Sequence, residues 1–207
     1  MKKWYDNIAK VYDFFTARFY KKMRRDLTDA LDIRKGDNIL IIACGTGQSF
    51  EMLERKTGSG GQIIAVDYSA GMLEQARKRI EKNHWTNIRL IQADARDINR
   101  EFLNKQGLSG DFDVVIGELA FSVIPDWQKV MKTSVSLLKE NGKIGLLDWY
   151  RPKNDWLTRI VDFLAKAETT RNTPDYAEEL MKEFKIVKRY FFDSIYVGVG
   201  YGIRRNE

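Results

Sequence analysis

Ile39-Leu40-Ile41-Ile42-Ala43-Cys44-Gly45-Thr46-Gly47-Gln48-Ser49, answered about twenty residues later by Val66-Asp67, is the stretch that decides the fold. A short apolar run that breaks into a loop of small residues reads as a buried strand feeding a helix. Glycines at such a strand end let backbone approach a ligand closely. A carboxylate closing the next strand can accept hydrogen bonds from both hydroxyls of a ribose. The two features have the spacing of a βαβ nucleotide site and predict an adenosine-containing cofactor.

Working outward, strand and helix signals alternate. Strands are predicted over 38–42, 62–66, 88–92, 112–116 and 143–147, with helices over 49–56, 70–82 and 127–139, the last ending at Asn141-Gly142. Upstream, Trp4, Ile8, Val11, Phe15 and Phe19 recur at helical spacing, and a second helix is predicted over 21–31 before the turn at Lys35-Gly36-Asp37. Downstream, Asn154 or Asp155 can cap an amphipathic helix carrying Trp156, Ile160 and Val161, and Thr173-Pro174 reads as a cap with proline at the first helical position. The aromatic, β-prone segments 187–196 and 197–203 read as two closing strands. The fold class expected is α/β: a Rossmann-like, doubly wound, mostly parallel sheet with an antiparallel C-terminal strand pair and helices on both faces. One domain is expected over 1–207, with a helical cap (1–35), a cofactor-binding core (36–150), a helical lid or substrate region (151–185) and closing strands (186–207).

Bulk properties narrow the function. A content of 43% hydrophobic and 31% charged residues suits a soluble globular domain, and the longest apolar runs fall well short of a membrane span. The N-terminus turns polar directly after Trp4 and Tyr5, unlike a signal peptide, and a lone cysteine cannot form an internal disulfide, so a cytoplasmic setting is expected. The net charge of +6 is uneven: the first 38 residues hold ten Lys/Arg against six Asp/Glu, concentrated in Lys21-Lys22-Met23-Arg24-Arg25. Such a cluster beside an aromatic helix could dock on anionic lipid or nucleic acid, although charge runs are usually solvated helix faces.

From 38 to 147 the chain resembles the class I S-adenosylmethionine-dependent methyltransferases. The residues that carry the likeness are Ala43-Cys44-Gly45-Thr46-Gly47, Val66-Asp67-Tyr68-Ser69 with Met72, Gln92-Ala93-Asp94-Ala95, and Phe112-Asp113-Val114-Val115-Ile116. The resemblance implies that Ala43, Gly45 and Gly47 pass under the methionine part of S-adenosylmethionine. It implies that Asp67, with Tyr68 beside it, takes the ribose hydroxyls and that Met72 flanks the adenine. Asp94 and the Ala95 amide would bond the adenine edge, and Gly117 and Glu118 would lie against the cofactor near the substrate entrance. Two departures stand out: Ile41 where the family usually has an acid, and Ala43 in place of its first glycine.

The opening Trp4-Tyr5-Asp6-Asn7-Ile8-Ala9-Lys10-Val11-Tyr12-Asp13, the loop Ala43-Cys44-Gly45-Thr46-Gly47 and the strand end Trp149-Tyr150-Arg151-Pro152 resemble the ubiquinone/menaquinone-biosynthesis C-methyltransferases, a pattern shared with phospholipid N-methyltransferases. This implies a small-molecule or lipid-headgroup acceptor. A nucleic-acid amino-methyltransferase would show Asn/Asp-Pro-Pro-aromatic after the fourth strand, where Ile116-Gly117-Glu118-Leu119 stands, so no nucleic acid partner is expected. Cys44 reads as a loop filler and His84 as a surface residue, and the inventory does not suit a metal site. Methyl transfer is an in-line displacement that alignment and desolvation can drive. A proton acceptor could come from Glu118, Asp148, Tyr5, Tyr12 or Tyr150, with Tyr12 and Glu118 the foremost candidates. Two rival readings remain: a cofactor-binding protein without turnover, motivated by Ile41, and a nicotinamide-dependent oxidoreductase, disfavoured because Phe50 occupies the third-glycine place.

Overall fold

The computed structural model describes the backbone of 2–153, 155–165 and 167–204, and the side chains of those residues from Thr16 onward except Leu157, Leu164 and Ala165. Tyr5 and Tyr12, and the apolar stripe from Trp4 to Phe15, have side chains outside that description. The elements in chain order are α1 (Lys2–Ala30), β1 (Ile39–Ile42), α2 (Phe50–Thr57), β2 (Ile63–Asp67), α3 (Ala70–Asn83), β3 (Ile88–Gln92), a 3-10 turn (Ala95–Asp97), α4 (Arg100–Lys105), β4 (Phe112–Glu118), α5 (Trp127–Ser136), β5 (Leu138–Trp149), α6 (Trp156–Ala165), α7 (Thr173–Leu180), β6 (Met181–Tyr190) and β7 (Ile195–Ile203).

The strands form one sheet in the order β3-β2-β1-β4-β5-β7-β6. The first five run parallel, and β7 is antiparallel to both β5 and β6. Alternation along β1 explains the two-sided core: Leu40 and Ile42 join Val66, Val115 and Leu146 on one face, while Ile39 and Ile41 join Leu27, Phe50 and Ala65 on the other. Each face needs a helical cover, supplied by α5 and α7 on the first and by α1 with α2 and α3 on the second. Chain order reverses between β1 and β4, which opens a crevice at the carboxyl ends of those strands, where open α/β sheets bind ligands.

Four expected boundaries move. The two N-terminal helices are one, α1, because 2–30 contains neither glycine nor proline and Tyr20, Met23, Leu27 and Leu31 continue a buried helical stripe through the basic cluster. The helix after Trp127 stops at Ser136, and Leu138 already pairs with Phe112. Asn141-Gly142 therefore lies in a bulge of β5, where the register shifts so that Lys143 pairs with Val114. The α7 cap is Asn172, one residue earlier than expected, accepting from the Asp175 N–H. The β6–β7 turn falls at 191–194 rather than after Tyr196, since aromatic composition on both sides conceals it.

One polar cluster fastens α1 to β6. Lys188 donates to Asp26 at 2.8 Å, Lys22 at 3.2 Å, and the Tyr190 hydroxyl also bonds it. Burial alone would raise the Asp26 carboxyl, but the bonds from Lys188, Tyr190 and Lys22 prevail and lower it from 3.8 to about 2. A carboxyl depressed in the folded state contributes stability above its unfolded value and loses it as pH falls through about 2. Asp26→Asn is expected to unfold about 1 kcal/mol more easily than the parent at pH 7, and the two proteins to converge as acid titrates the carboxyl. Equal urea midpoints at pH 7 would show that the cluster carries no net free energy.

Candidate functional site

A cleft of about 310 Å³ opens at the reversal between β1 and β4. It gathers residues from four strand ends: Ala43 and Gly45 after β1, Asp67, Tyr68 and Met72 around β2, Asp94 and Ala95 after β3, and Glu118 closing β4. Of the residues singled out in sequence, these eight line one space. Gly47 and Gly117 are not among the lining residues, and the Tyr12 side chain lies outside the described residues.

The first loop is shaped by its neighbour carboxylate. Gly45, at φ 56°, donates its N–H to Asp67 Oδ2 at 2.8 Å, and Asp67 Oδ1 accepts from the Ser69 N–H at 2.9 Å. Asp67 is thus buried in the lining of the cleft, with the Gly45 and Ser69 amides among its donors. Ala43 adopts φ 54°, a left-handed conformation that glycine takes without steric cost, so the alanine is tolerated under local strain. Gly47, also left-handed at φ 75°, serves packing as well. A Cβ there would stand 2.4 Å from the Phe50 ring, so the missing side chain lets a buried Phe50 close over the loop. Gly117 is likewise a packing glycine, with the Phe121 ring 2.5 Å from where its Cβ would be.

Asp94 is more occupied than the sequence suggests. Arg96 donates to it through its backbone N–H at 2.9 Å, Nε at 3.1 Å and Nη2 at 2.8 Å, and these bonds lower the Asp94 carboxyl from its ordinary value. Arg96 itself lines the cleft, a contributor the sequence reading missed. Also missed is the apolar wall of Leu119, Val123, Ile124 and Pro125, for which the only sequence signal was the apolar composition after β4. Two buried side chains hold the start of that wall. Asp148 accepts from the Phe121 N–H, the Ser122 N–H and hydroxyl, and the Trp149 N–H, while Arg171 donates to the carbonyls of Phe121 and Ile124. Burial pushes the Asp148 carboxyl up and its four donors pull it back. With its lone pairs engaged and no exposure, Asp148 is a structural hub and drops out as a base.

Glu118 is the most unusual group in the cleft. Its side chain is 10% exposed, and Oε2 receives Arg24 Nε at 3.0 Å from α1 and the Ser49 hydroxyl from the loop. Oε1 is buried with no hydrogen-bond partner, and so is Nη1 of Arg24, whose side chain is 6% exposed. Glu118 lines the cleft and carries a negative charge that suits the ammonium of S-adenosylmethionine, while Arg24 stands behind it, outside the lining. Ile41, where the family's acid would stand, points into the apolar core beside Leu27 and Phe50, and Glu118 on the adjacent strand supplies a carboxylate instead. The residues present therefore fit the implied cofactor, with Asp67 for the ribose, Asp94 and Ala95 for the adenine edge, and Glu118 for the ammonium.

The remaining expectations place easily. Burial raises the Cys44 thiol well above its ordinary value, helped by the Asp67 and Glu118 carboxylates, so it is no nucleophile. His84 ends α3 in a left-handed conformation on the surface. Tyr150 packs against the core on the α5 and α7 side. Among the described residues there is no His/Cys/Asp/Glu group that could hold a metal ion, and no helix long and apolar enough to cross a membrane.

Comparison with known proteins gives a consistent picture. The family described as "Methyltransferase domain" matches residues 33–191. The 2-phytyl-1,4-naphtoquinone methyltransferase of Nostoc sp. is 29% identical over 210 residues, covering 94% of this chain and 87% of that protein. The ubiquinone/menaquinone biosynthesis C-methyltransferase UbiE of Idiomarina loihiensis is 26% identical over 160 residues, covering 77% of this chain but 60% of its own length. Among solved structures, an O-methyltransferase family protein from Burkholderia thailandensis superposes with a TM-score of 0.71 at 13% identity, over 94% of this chain and 59% of that one.

Proposed function

The chain belongs to the methyltransferase domain family and is a methyltransferase, and we propose that it moves a methyl group from S-adenosylmethionine to a small or amphipathic acceptor, with a quinone-type ring or a lipid headgroup as the acceptor classes to test. The observation that carries the reading is Asp67, buried in the cleft lining and held there by the Gly45 and Ser69 amides. The bound cofactor would supply an activated methyl carbon, so the chain's work is to bind, align and exclude water. Asp67 orients the ribose, Glu118 holds the charged end, and the wall of Leu119, Val123 and Ile124 keeps the reacting side apolar. Glu118 acts as a positioning group rather than a base, because Arg24 and Ser49 already engage its Oε2 in charge-assisted hydrogen bonds. The acceptor would enter beneath 151–185, the segment that carries α6 and α7.

Calorimetric titration with S-adenosylhomocysteine, with NADH in parallel, tests the cofactor class. Saturable binding of the first alone is expected. Binding of NADH alone would move the chain to the oxidoreductases, and binding without transfer to any acceptor would favour a carrier without turnover. Asp67→Ala is expected to weaken S-adenosylhomocysteine by about 1–3 kcal/mol through loss of charge-assisted hydrogen bonds. Undiminished affinity in a folded variant would remove Asp67 from the site.

A further inference from the structure

Large apolar side chains stand in solvent around one end of the molecule. Phe192 is 88% exposed, Trp156 73% and Phe163 70%, with Phe19, Phe191 and Ile160 each nearly half exposed. They form two linked groups. In the first, the Phe191 ring touches Phe19 at 6.1 Å, Phe192 at 5.7 Å and the buried Trp149 at 5.8 Å, so an aromatic chain runs from the end of β5 out to solvent. In the second, Trp156, Ile160 and Phe163 recur at i, i+4 and i+7 and occupy one face of α6. Arg151 joins the groups: Nη1 donates to Ser194 Oγ in the β6–β7 turn at 2.7 Å, and Nη2 to Asp155 Oδ2 at the start of α6 at 2.5 Å. Because β5 is parallel to β4, Trp149 and Glu118 mark the same edge of the sheet, and the aromatic platform borders the end at which the cleft opens.

The backbone holds this platform outward. Phe191, Phe192 and Asp193 are consecutive non-glycine residues with φ of 48°, 53° and 62°. Bulky residues rarely take that conformation, and here it carries Phe192 into water instead of against the sheet. Beside the platform, Arg18, Lys22 and Arg25 recur at i, i+4 and i+7 on the exposed side of α1, and the Lys22 ammonium lies 5.6 Å from the centre of the Tyr190 ring. Stable attachment to a bilayer takes two signals, and this face presents both an apolar one and a basic one. A second copy of the chain is the rival occupant, and the sedimentation test below separates it from lipid.

We infer that this face docks on an anionic lipid bilayer, with Phe192, Trp156 and Phe163 entering the headgroup layer and the α1 stripe lying against lipid phosphates. The docked orientation turns the mouth of the cleft toward the lipid. The inference does not depend on the identity of the acceptor, and its test uses neither acceptor nor cofactor.

The test is co-sedimentation of the full chain with phosphatidylcholine vesicles made with and without phosphatidylglycerol, at low and high salt. Binding is expected to the anionic vesicles, to weaken with salt, and to fall about tenfold in Phe192→Ser. Arg18→Gln and Arg25→Gln should each lower it by about fivefold. The exposed Phe192 can change without unfolding the chain, so an unaltered melting temperature accompanies the expected loss. Failure to sediment with anionic vesicles, equal binding to neutral ones, or binding indifferent to Phe192→Ser would each overturn the inference. So would sedimentation velocity showing a dimer that Phe192→Ser dissociates while vesicle binding persists, which would assign the face to a second copy.

Discussion

Replacing Asp148 by alanine is expected to lower the free energy of unfolding by about 4 kcal/mol, a large effect for one side chain. The fully buried carboxylate receives four hydrogen bonds, three of them from backbone N–H groups that no rearrangement of side chains can remove. Each buried donor left without a partner costs about 1–3 kcal/mol, and the vacated volume adds a cavity. Asp148→Asn should cost less, about 2 kcal/mol, because it keeps the volume but turns an amide N–H toward existing donors. Urea unfolding followed by circular dichroism distinguishes the cases. A loss in Asp148→Ala below about 1 kcal/mol would mean that water reaches the loop after β4 and satisfies it. The substitution should also reach the site without touching it, since Phe121 and Ser122 lead into the Val123 to Pro125 wall of the cleft.

Legibility in the sequence follows the range of the interactions involved. The parallel core was readable because each strand from β1 to β4 is a short apolar run beside a helix with its own periodicity, and local pattern and final burial agree. The places of Asp67 and Asp94 beside the cleft were readable because Asp67 ends β2 and Asp94 follows β3 by two residues. What was not readable depends on partners far along the chain. Nothing local to Arg24 says that it reaches Glu118, 94 residues away, or that Asp26 anchors Lys188 and Tyr190 across the molecule. The expected second helix over 21–31 merges into α1 because nothing in 2–30 is a glycine or proline that would break it. The β6–β7 turn escaped because left-handed phenylalanines carry no turn signature, and the packing need of Gly117 was hidden because it lies in Phe121, four residues later. Ile41 looked like a lesion in the site. Its place in the apolar core, with Glu118 one strand away, is what the proposed function takes as a relocation of the carboxylate.

That relocation makes a prediction in which stability and binding move in opposite directions. Arg24→Met should destabilise the protein by about 3–5 kcal/mol, because Glu118 is left as a buried charge with its counterion gone. The double variant Arg24→Met with Glu118→Leu should recover most of that loss, since removing both charges relieves two desolvation penalties and fills the space with apolar groups. Binding should show no such recovery. With the Glu118 carboxylate gone from the cleft and its Arg24 partner gone from behind it, S-adenosylhomocysteine should bind the double variant at least about tenfold more weakly than the parent. A ligand without the amino-acid chain, 5′-methylthioadenosine, should bind both proteins alike, because Asp67 and Asp94 are untouched. Equal losses for the two ligands would mean that the ion pair shapes the whole cleft. Unchanged S-adenosylhomocysteine binding in a folded double variant would show that the amino-acid end lies elsewhere, and Glu118 would then be a device for seating α1 on the sheet.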